Sequence, residues 1–428
     1  MFLTLLQFAI LIVIAMSLLW LMSLLFSWSQ NRSTTSQLAK ADLALFKANT
    51  DLILEQKRET EQISEHAWNS FRKFEIVKKE VEAQDICSFY LAPHDRRPLP
   101  PFKPGQFLTF KLAIPGQKKD VIRCYSLSDS SYNPDTYRLT VKRVPPPRDN
   151  PDAPPGLSSN FFHDQVSEND IIDVKAPSGA FYFDLTRPHP SVLIGGGIGL
   201  TPVLSMVNSM IDSGYKHETW FFYGVRNSAE HAMKDHLQKL SDEHDWLNMY
   251  VCYSDPADGD VEGVDHRHTG RVGVELFKQL LPSNNYDFYM CGPPPMMNAV
   301  VSDLEEWGVP EERIHFEAFG PASVKKVKEA HNENEEASAD ANQTYTVKFA
   351  KSGKEVEWNA DCDTLLDLAE ENDIIMDSGC RAGNCGTCTT AIKSGDIDVI
   401  QDDVGADCEK GSCLVCVSIP KSNLELDA

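Results

Sequence analysis

The 428-residue sequence predicts a multi-domain protein in which an N-terminal transmembrane helix precedes an antiparallel β-barrel, an α/β domain on a parallel sheet and a small C-terminal domain wrapped around cysteines. Three observations predict it. No charged side chain occurs from Phe2 to Asn31. After Pro190 the pattern changes from short β-rich runs to apolar strands alternating with amphipathic helices. The chain then ends on Cys380-x4-Cys385-x2-Cys388, with Cys416 beyond. Composition limits the partners: a formal charge of −23 excludes nucleic acid, whose binding depends on Lys and Arg neutralising phosphates.

Residues 1–30 read as an anchor. The apolar run through Phe8, Ile14, Leu18, Trp20 and Phe26 is long enough for a membrane helix, which needs roughly 20 apolar residues. A cleaved signal peptide would carry Lys or Arg ahead of a shorter core. Here the first basic residues, Arg32, Lys40 and Lys47, all follow the segment. The positive-inside rule then predicts a single-pass membrane protein with its N-terminus outside and its catalytic domains in the cytoplasm. The alternative is cleavage near Ala39-Lys40-Ala41.

Residues 31–68 read as a helical stalk. Leu38, Leu45 and Leu52 recur every seven positions without Gly or Pro between 33 and 66, a spacing that suits self-association or a plain spacer. Residues 69–186 carry short strands, among them Ile86 to Leu91, Gln106 to Leu112, Tyr137 to Val144 and Ile171 to Val174. Bounded by turn signals, they predict a β-barrel.

In residues 187–321, strands are expected at Ser191 to Ile194, Thr219 to Tyr223, Asn248 to Tyr253 and Tyr286 to Cys291. Helices are expected at Val203 to Ser213, Glu230 to Glu243 and Met296 to Trp307. Such alternation makes a parallel sheet with its ligand at the carboxyl edge. At that edge the first strand runs into Gly195-Gly196-Gly197-Ile198-Gly199-Leu200-Thr201-Pro202, where glycines let backbone approach a pyrophosphate. Thr201 is expected to cap the next helix, with Pro202 in its first position. Residues 322–343 read as an acidic linker and 344–428 as the last domain, holding 17 Asp/Glu against 7 Lys/Arg.

Four thiolates at the spacing of Cys380, Cys385, Cys388 and Cys416 can hold one 2Fe-2S cluster. A zinc site would use a second, similar cysteine pair, and none accompanies this loop. A disulfide framework belongs to small secreted domains, whereas eleven cysteines sit here in a large chain,. Cys408 and Cys413 depart from the ligand spacing and read as structural or oxidisable.

Taken in order, seven motifs resemble the ferredoxin-NADP reductase superfamily, in the subgroup with a C-terminal plant-type ferredoxin domain. They are Arg123-x-Tyr125-Ser126, Gly156-x-x-Ser159, the glycine turn ending at Thr201-Pro202, Tyr223-Gly224-x-Arg226, Cys291-Gly292-Pro293-Pro294, Glu317-x-Phe319-Gly320 and the four cysteines. The resemblance covers about residues 70–428 and implies a flavin-binding barrel, an NAD(P)-binding α/β domain and a β-grasp 2Fe-2S domain. It implies that Arg123 holds the flavin phosphate, Tyr125 packs on the flavin and Ser126 lies near N5. Gly156 and Ser159 would grip the pyrophosphate, Ser159 also capping the helix that follows. Gly196, Gly197 and Gly199 would line the nucleotide turn, with Thr201, Cys291 and Gly292 bordering the nicotinamide. Glu317 and Phe319 would close the flavin's other side, and Ser126, Cys291 and Glu317 make the catalytic set.

An acidic residue near the adenosine ribose favours NADH, and Asp255 follows the third strand there, with Arg226 the nearby cation that could favour NADPH. The expected flavin is FAD, with FMN the alternative. The implied activity is electron transfer from NADH through flavin and cluster to a protein acceptor such as an oxygenase, desaturase or haem protein. A membrane quinone is the alternative acceptor, and a non-enzymatic redox sensor is the alternative class.

Overall fold

The computed structural model describes residues 16–23, 43, 47, 50, 57, 68, 70–146, 150–187, 189–319, 345–358, 362–379, 381, 383, 385–400 and 408–428. Glu65–Ala428 is one compact unit. Its first layer is a six-stranded antiparallel sheet of β1 (Arg72–Ala83), β2 (Ile86–Pro93), β3 (Phe107–Leu112), β4 (Val121–Ser126), β5 (Tyr137–Lys142) and β6 (Ile171–Val174), in the order β4-β3-β6-β1-β2-β5. A bridge between Leu127 and Leu139 joins the two outer strands and closes the barrel. The inward residues Phe74, Phe89, Phe110 and Leu139 are fully buried, and α1 (Leu157–Asp164) plugs the open end with Phe162. Burying one such ring is worth roughly 1.5–3 kcal/mol.

The second layer is all parallel: β7 (Ser191–Gly196), β8 (Thr219–Val225), β9 (Leu247–Tyr253), β10 (His268–Thr269), β11 (Asp287–Cys291) and β12 (Ile314–Glu317), ordered β10-β9-β8-β7-β11-β12. Val192, Leu193 and Ile194 are buried in succession rather than alternately, because crossover helices cover both faces of a parallel sheet. Those helices are α2 (Leu200–Ser213), α3 (Lys234–Glu243), α4 (Val274–Leu280) and α5 (Pro294–Glu306). The chain leaves β7 towards β8 on one side and returns as β11 on the other. The carboxyl end of β7 is therefore the topological switch point where a ligand crevice forms.

The third layer contains β13 (Thr346–Phe349), β14 (Lys354–Glu357), α6 (Leu365–Glu371), β15 (Thr389–Ser394), β16 (Ile397–Val399), β17 (Ser412–Leu414), β18 (Ser418–Pro420) and β19 (Leu424–Leu426). Its main sheet runs β14-β13-β19-β15-β17, with β13 and β19 parallel. Thr364 caps α6, its hydroxyl accepting from the Asp367 amide at 3.2 Å,.

Four expectations need correction. Among the described residues no helix is long and apolar enough to cross a membrane. The single-pass anchor and the cytoplasmic placement inferred from it are therefore withdrawn; the other positions of 1–30 lie outside the described residues. Thr201 does not cap α2, which begins at Leu200 after the cap residue Gly199; its hydroxyl instead donates to the Ile198 carbonyl at 3.1 Å. Ser159 likewise lies inside α1, whose cap residue is Gly156. The third helix starts at Lys234 rather than Glu230, because Met233 takes a left-handed conformation just before it. Most of the expected stalk, the linker 322–343, Gly320 and Cys380 lie outside the described residues.

Candidate functional site

Residues from β4 and α1 build the first wall of the site. The register of β3 with β4 is unbroken, so Arg123 and Tyr125 share one face while Ser126 points to the other. Tyr125 is fixed at both ends: its ring packs edge-on against Phe162 at 5.1 Å, and its hydroxyl donates to Ser158 Oγ at 3.0 Å. Burial pushes its phenol up to about 12. Arg123 donates from Nη1 to the Ile122 carbonyl at 2.7 Å and is half-buried. Ser159 accepts from the Val144 amide at 3.2 Å and donates to the Gly156 carbonyl at 3.3 Å. It ties α1 to the end of β5 and its hydroxyl is engaged within the chain. A Cβ on Gly156 would lie 2.7 Å from Val144 Cβ, so glycine is needed for this close passage.

Ser126, Cys291 and Glu317 converge. Cys291 and Glu317 are register partners at the ends of β11 and β12, and the Ser126 side chain lies close enough to the Glu317 carboxyl to act on its titration. Burial pushes Glu317 up to about 8, with the nearby Ser126 opposing the shift, and its Oε2 has no partner within the protein. Glu317 is therefore a neutral carboxylic acid near pH 7, able to donate or to exchange a proton. Burial, and secondarily Glu317, raises the Cys291 thiol far above its ordinary value. Cys291 thus packs as a neutral small side chain rather than a thiolate nucleophile.

Beside this trio, backbone approaches backbone. A Cβ on Gly199 would lie 2.1 Å from the Cys291 carbonyl oxygen and 2.7 Å from the Gly292 amide nitrogen. Gly197 has φ of 55°, a left-handed conformation that favours glycine. Gly196 and Gly292 both lie under Met296, since a Cβ on either would come within 2.7 Å and 2.5 Å of its Sδ and Cε respectively. The glycine turn and the Cys291-Gly292 turn thus pack backbone against backbone at the switch point, with Met296 covering Gly196 and Gly292. Phe319, just after β12, is 40% exposed, which removes core packing as its explanation.

At the outer end of the crevice, the Asp255 amide donates to the Arg226 carbonyl at 2.9 Å, holding the ends of β8 and β9 together. The Arg226 guanidinium is paired with Glu230, which also takes Lys142 of the barrel at 3.2 Å. The cation that could favour a 2′-phosphate is thus already engaged, while the Asp255 side chain stays exposed.

The cysteine loop is folded for soft ligation. Cys388 and Cys416 are buried, with Sγ atoms 3.1 Å apart. A Cβ on Gly379 would lie 2.8 Å from Cys385 Sγ, 3.2 Å from Thr387 Oγ1 and 3.5 Å from Ile122 Cγ2. Gly379 therefore sits against Ile122 of β4, the residue before Arg123. Thr387 Oγ1 is buried without a partner, a donor that cluster sulfur would satisfy. Among the described residues no three groups converge as a complete metal site, and Cys380, the first of the four cysteines, is outside them. The buried thiol pair, the orphan hydroxyl and the glycine-lined loop fit a 2Fe-2S cluster.

Several contributors carried no signal in the sequence. Ser158 was masked by its neighbour Ser159, and its role depends on how α1 crosses β4. Phe110 and Phe162 look like ordinary core residues until Tyr125 packs on them. Met296 and Thr387 stand in segments already notable, yet only three-dimensional contact distinguishes them.

Comparison with known proteins agrees with this layout. Residues 73–183 match the oxidoreductase FAD-binding domain, residues 193–302 the oxidoreductase NAD-binding domain and residues 347–421 the 2Fe-2S iron-sulfur cluster binding domain. The chain is 38% identical over 257 residues to a flavohemoprotein of Halalkalibacterium halodurans, covering 60% of this chain and 62% of that protein. It thus spans less than two thirds of that relative. Phthalate dioxygenase reductase, a modular structure for electron transfer from pyridine nucleotides to 2Fe-2S, is 31% identical with a TM-score of 0.51, over 84% of this chain and 98% of its own. The FAD/NAD-binding domain of nitric oxide dioxygenase from Vibrio cholerae is 32% identical with a TM-score of 0.53, over 59% of this chain and all of its own.

Proposed function

Because the chain belongs to the ferredoxin-NADP reductase-like oxidoreductases that carry a C-terminal 2Fe-2S ferredoxin domain, we propose that this NAD(P)H-dependent flavin and 2Fe-2S reductase draws on NADH and delivers single electrons to a protein acceptor such as an oxygenase, desaturase or haem protein. Its cofactors are FAD, NADH and the cluster. When bound, nicotinamide and flavin supply hydride chemistry and the cluster supplies one-electron chemistry.

The protein's own residues bind, orient and exclude water. Arg123 counters phosphate charge from a half-buried position, and Tyr125 offers a ring that cannot turn. Ser126 and neutral Glu317 place two hydrogen-bonding groups at the end of β4, where the flavin's reactive edge would lie. Cys291, Gly292, Thr201 and the turn of Gly196, Gly197 and Gly199 would border the nicotinamide, and orientation of this kind carries much of the rate enhancement. Asp255 would accept from the adenosine ribose. Phe319 would cover the flavin's open side. Gly156 and Ser159 would shape the pyrophosphate wall through backbone placement, since the Ser159 hydroxyl is engaged. Cys380, Cys385, Cys388 and Cys416 would ligate the cluster.

The observation that supports this reading is the approach of Gly379, which lies beside the Cys385 thiol, to Ile122 of β4. The acceptor class is supported by the acidic surplus of residues 344–428 and by relatives whose name joins flavin to haem. Anaerobic mixing with NADH tests the order: flavin absorbance should bleach before that of the cluster. Reduction of a basic haem protein such as cytochrome c should slow as salt rises, while ferricyanide reduction should not. Salt-independent cytochrome reduction would remove the acidic domain from the docking role.

A further inference from the structure

At the boundary between barrel and ferredoxin domain, Arg381 lies near enough to Arg123 for its charge to act there. Arg123 has the Ile122 carbonyl as its hydrogen-bond partner and no carboxylate among the described residues. Burial, followed by the charge of Arg381, pushes its pKa down. Arg381 stands in the cluster loop with φ of 57°, a conformation that a side chain of this length rarely adopts. Its guanidinium is held from α6, by a hydrogen bond to the Glu370 carboxylate and by Asp367 Oδ1 at 3.9 Å. The same loop touches β4 through Gly379 and Ile122.

Two guanidiniums at a partly desolvated boundary repel unless an anion lies between them. Glu370 hydrogen-bonds Arg381 from the ferredoxin side and reaches Arg123 only through space, so Arg123 has no carboxylate in direct contact among the described residues. We propose that Arg381 is a positioning residue for the flavin-to-cluster step: with Arg123 it clamps the flavin's phosphate across the domain boundary, so that flavin binding and seating of the cluster loop on β4 reinforce each other. This rests on the assignment of Arg123 to the flavin phosphate made above. Linkage makes the coupling reciprocal, so a change in the loop must be readable as a change in flavin affinity. Glu370 competes for the same guanidinium, and removing its charge frees Arg381 for phosphate.

The test uses the full chain with its cluster loaded, stripped of flavin and titrated with FAD by fluorescence quenching at low and high salt. Arg381→Ala is expected to weaken FAD binding about tenfold at low salt and less at high salt, the size of one charge-assisted hydrogen bond. Arg381→Lys should recover part of the loss, and Glu370→Gln should bind FAD at least as tightly as the parent. Unchanged affinity in Arg381→Ala overturns the clamp, and so does weakened binding in Glu370→Gln, the result expected if the loop had merely lost its packing. Arg123→Ala separates the two levels: if it binds FAD normally the phosphate assignment itself fails, whereas a loss there without one in Arg381→Ala sinks the clamp alone. Hydrogen exchange of the cluster loop in the unsubstituted protein gives a second readout. Slower exchange with FAD supports the clamp, and identical exchange overturns it.

Discussion

Ser126 and Glu317 meet across a domain boundary: the side chain at the end of β4 in the barrel lies close enough to the carboxyl at the end of β12 in the parallel sheet to oppose the rise that burial imposes on its pKa. This approach joins the barrel to the parallel-sheet domain, in a place dry enough to hold the carboxyl neutral. The two domains share this contact at the point where their ligands would touch.

Glu317 should make stability depend on pH. Burial raises its pKa from the ordinary 4.5 to about 8, so the folded protein keeps a proton that the unfolded chain releases. Stability from this group is fully present below pH 4.5 and falls as pH rises to about 8, at about 1.4 kcal/mol per pH unit at most. Glu317→Gln should flatten that slope in denaturant titrations of the flavin-free protein, and parallel pH profiles for the two proteins would refute it.

Gly199→Ala should damage both fold and turnover. The added methyl would meet the Cys291 carbonyl at 2.1 Å, backbone that cannot rotate away, so a loss of about 1–3 kcal/mol is expected. Thermal unfolding and NADH-to-ferricyanide activity check it; a variant as stable and active as its parent would contradict the close approach.

Cys385→Ser should separate the two halves of the electron path. Cluster absorbance and cluster reduction should be lost, while NADH-driven ferricyanide reduction through the flavin continues at the parental rate. Loss of both with flavin still bound would break the proposed order.

Thr387→Val should lower the cluster's reduction potential by about 60 mV, the one-electron equivalent of a tenfold change. The buried Oγ1 lies beside Cys385 with no partner in the protein. A hydrogen bond from it to sulfur would favour the more negative reduced cluster. Redox titration followed by electron paramagnetic resonance measures the shift, and an unchanged potential would mean the hydroxyl points elsewhere.

Asp255→Asn should reduce the preference for NADH over NADPH about tenfold, because a carboxylate that accepts from ribose hydroxyls also repels a 2′-phosphate. Ratios of kcat/KM for the two nucleotides test this. A ratio unmoved by the substitution would take Asp255 out of nucleotide choice.

The strands from Ile86 to Val174 and the βα alternation after Pro190 were legible because each follows a local period, two for half-buried strands and an unbroken apolar run for covered ones. Helix starts were less legible. Thr201 looks like a cap by residue type, yet α2 begins one residue earlier, because Gly199 must press against Cys291 and the helix follows from that contact. In residues 1–30 an uncharged apolar run suggested a membrane anchor, and among the described residues no helix is long and apolar enough to cross a membrane.

By itself the sequence determined the cofactor chemistry. Thiol spacing, a glycine turn after an apolar strand and an Arg-x-Tyr-Ser strand are local patterns, and the backbone and ligand requirements behind them are local too. Only the tertiary structure decided which groups share an environment: Ser126 with Glu317, Gly199 with Cys291, Gly379 and Arg381 with the strand that carries Arg123. Those pairs are far apart in the chain and obey no period. Their proximity, and the desolvation that neutralises Glu317, arise only when barrel, parallel sheet and cluster loop pack into one unit.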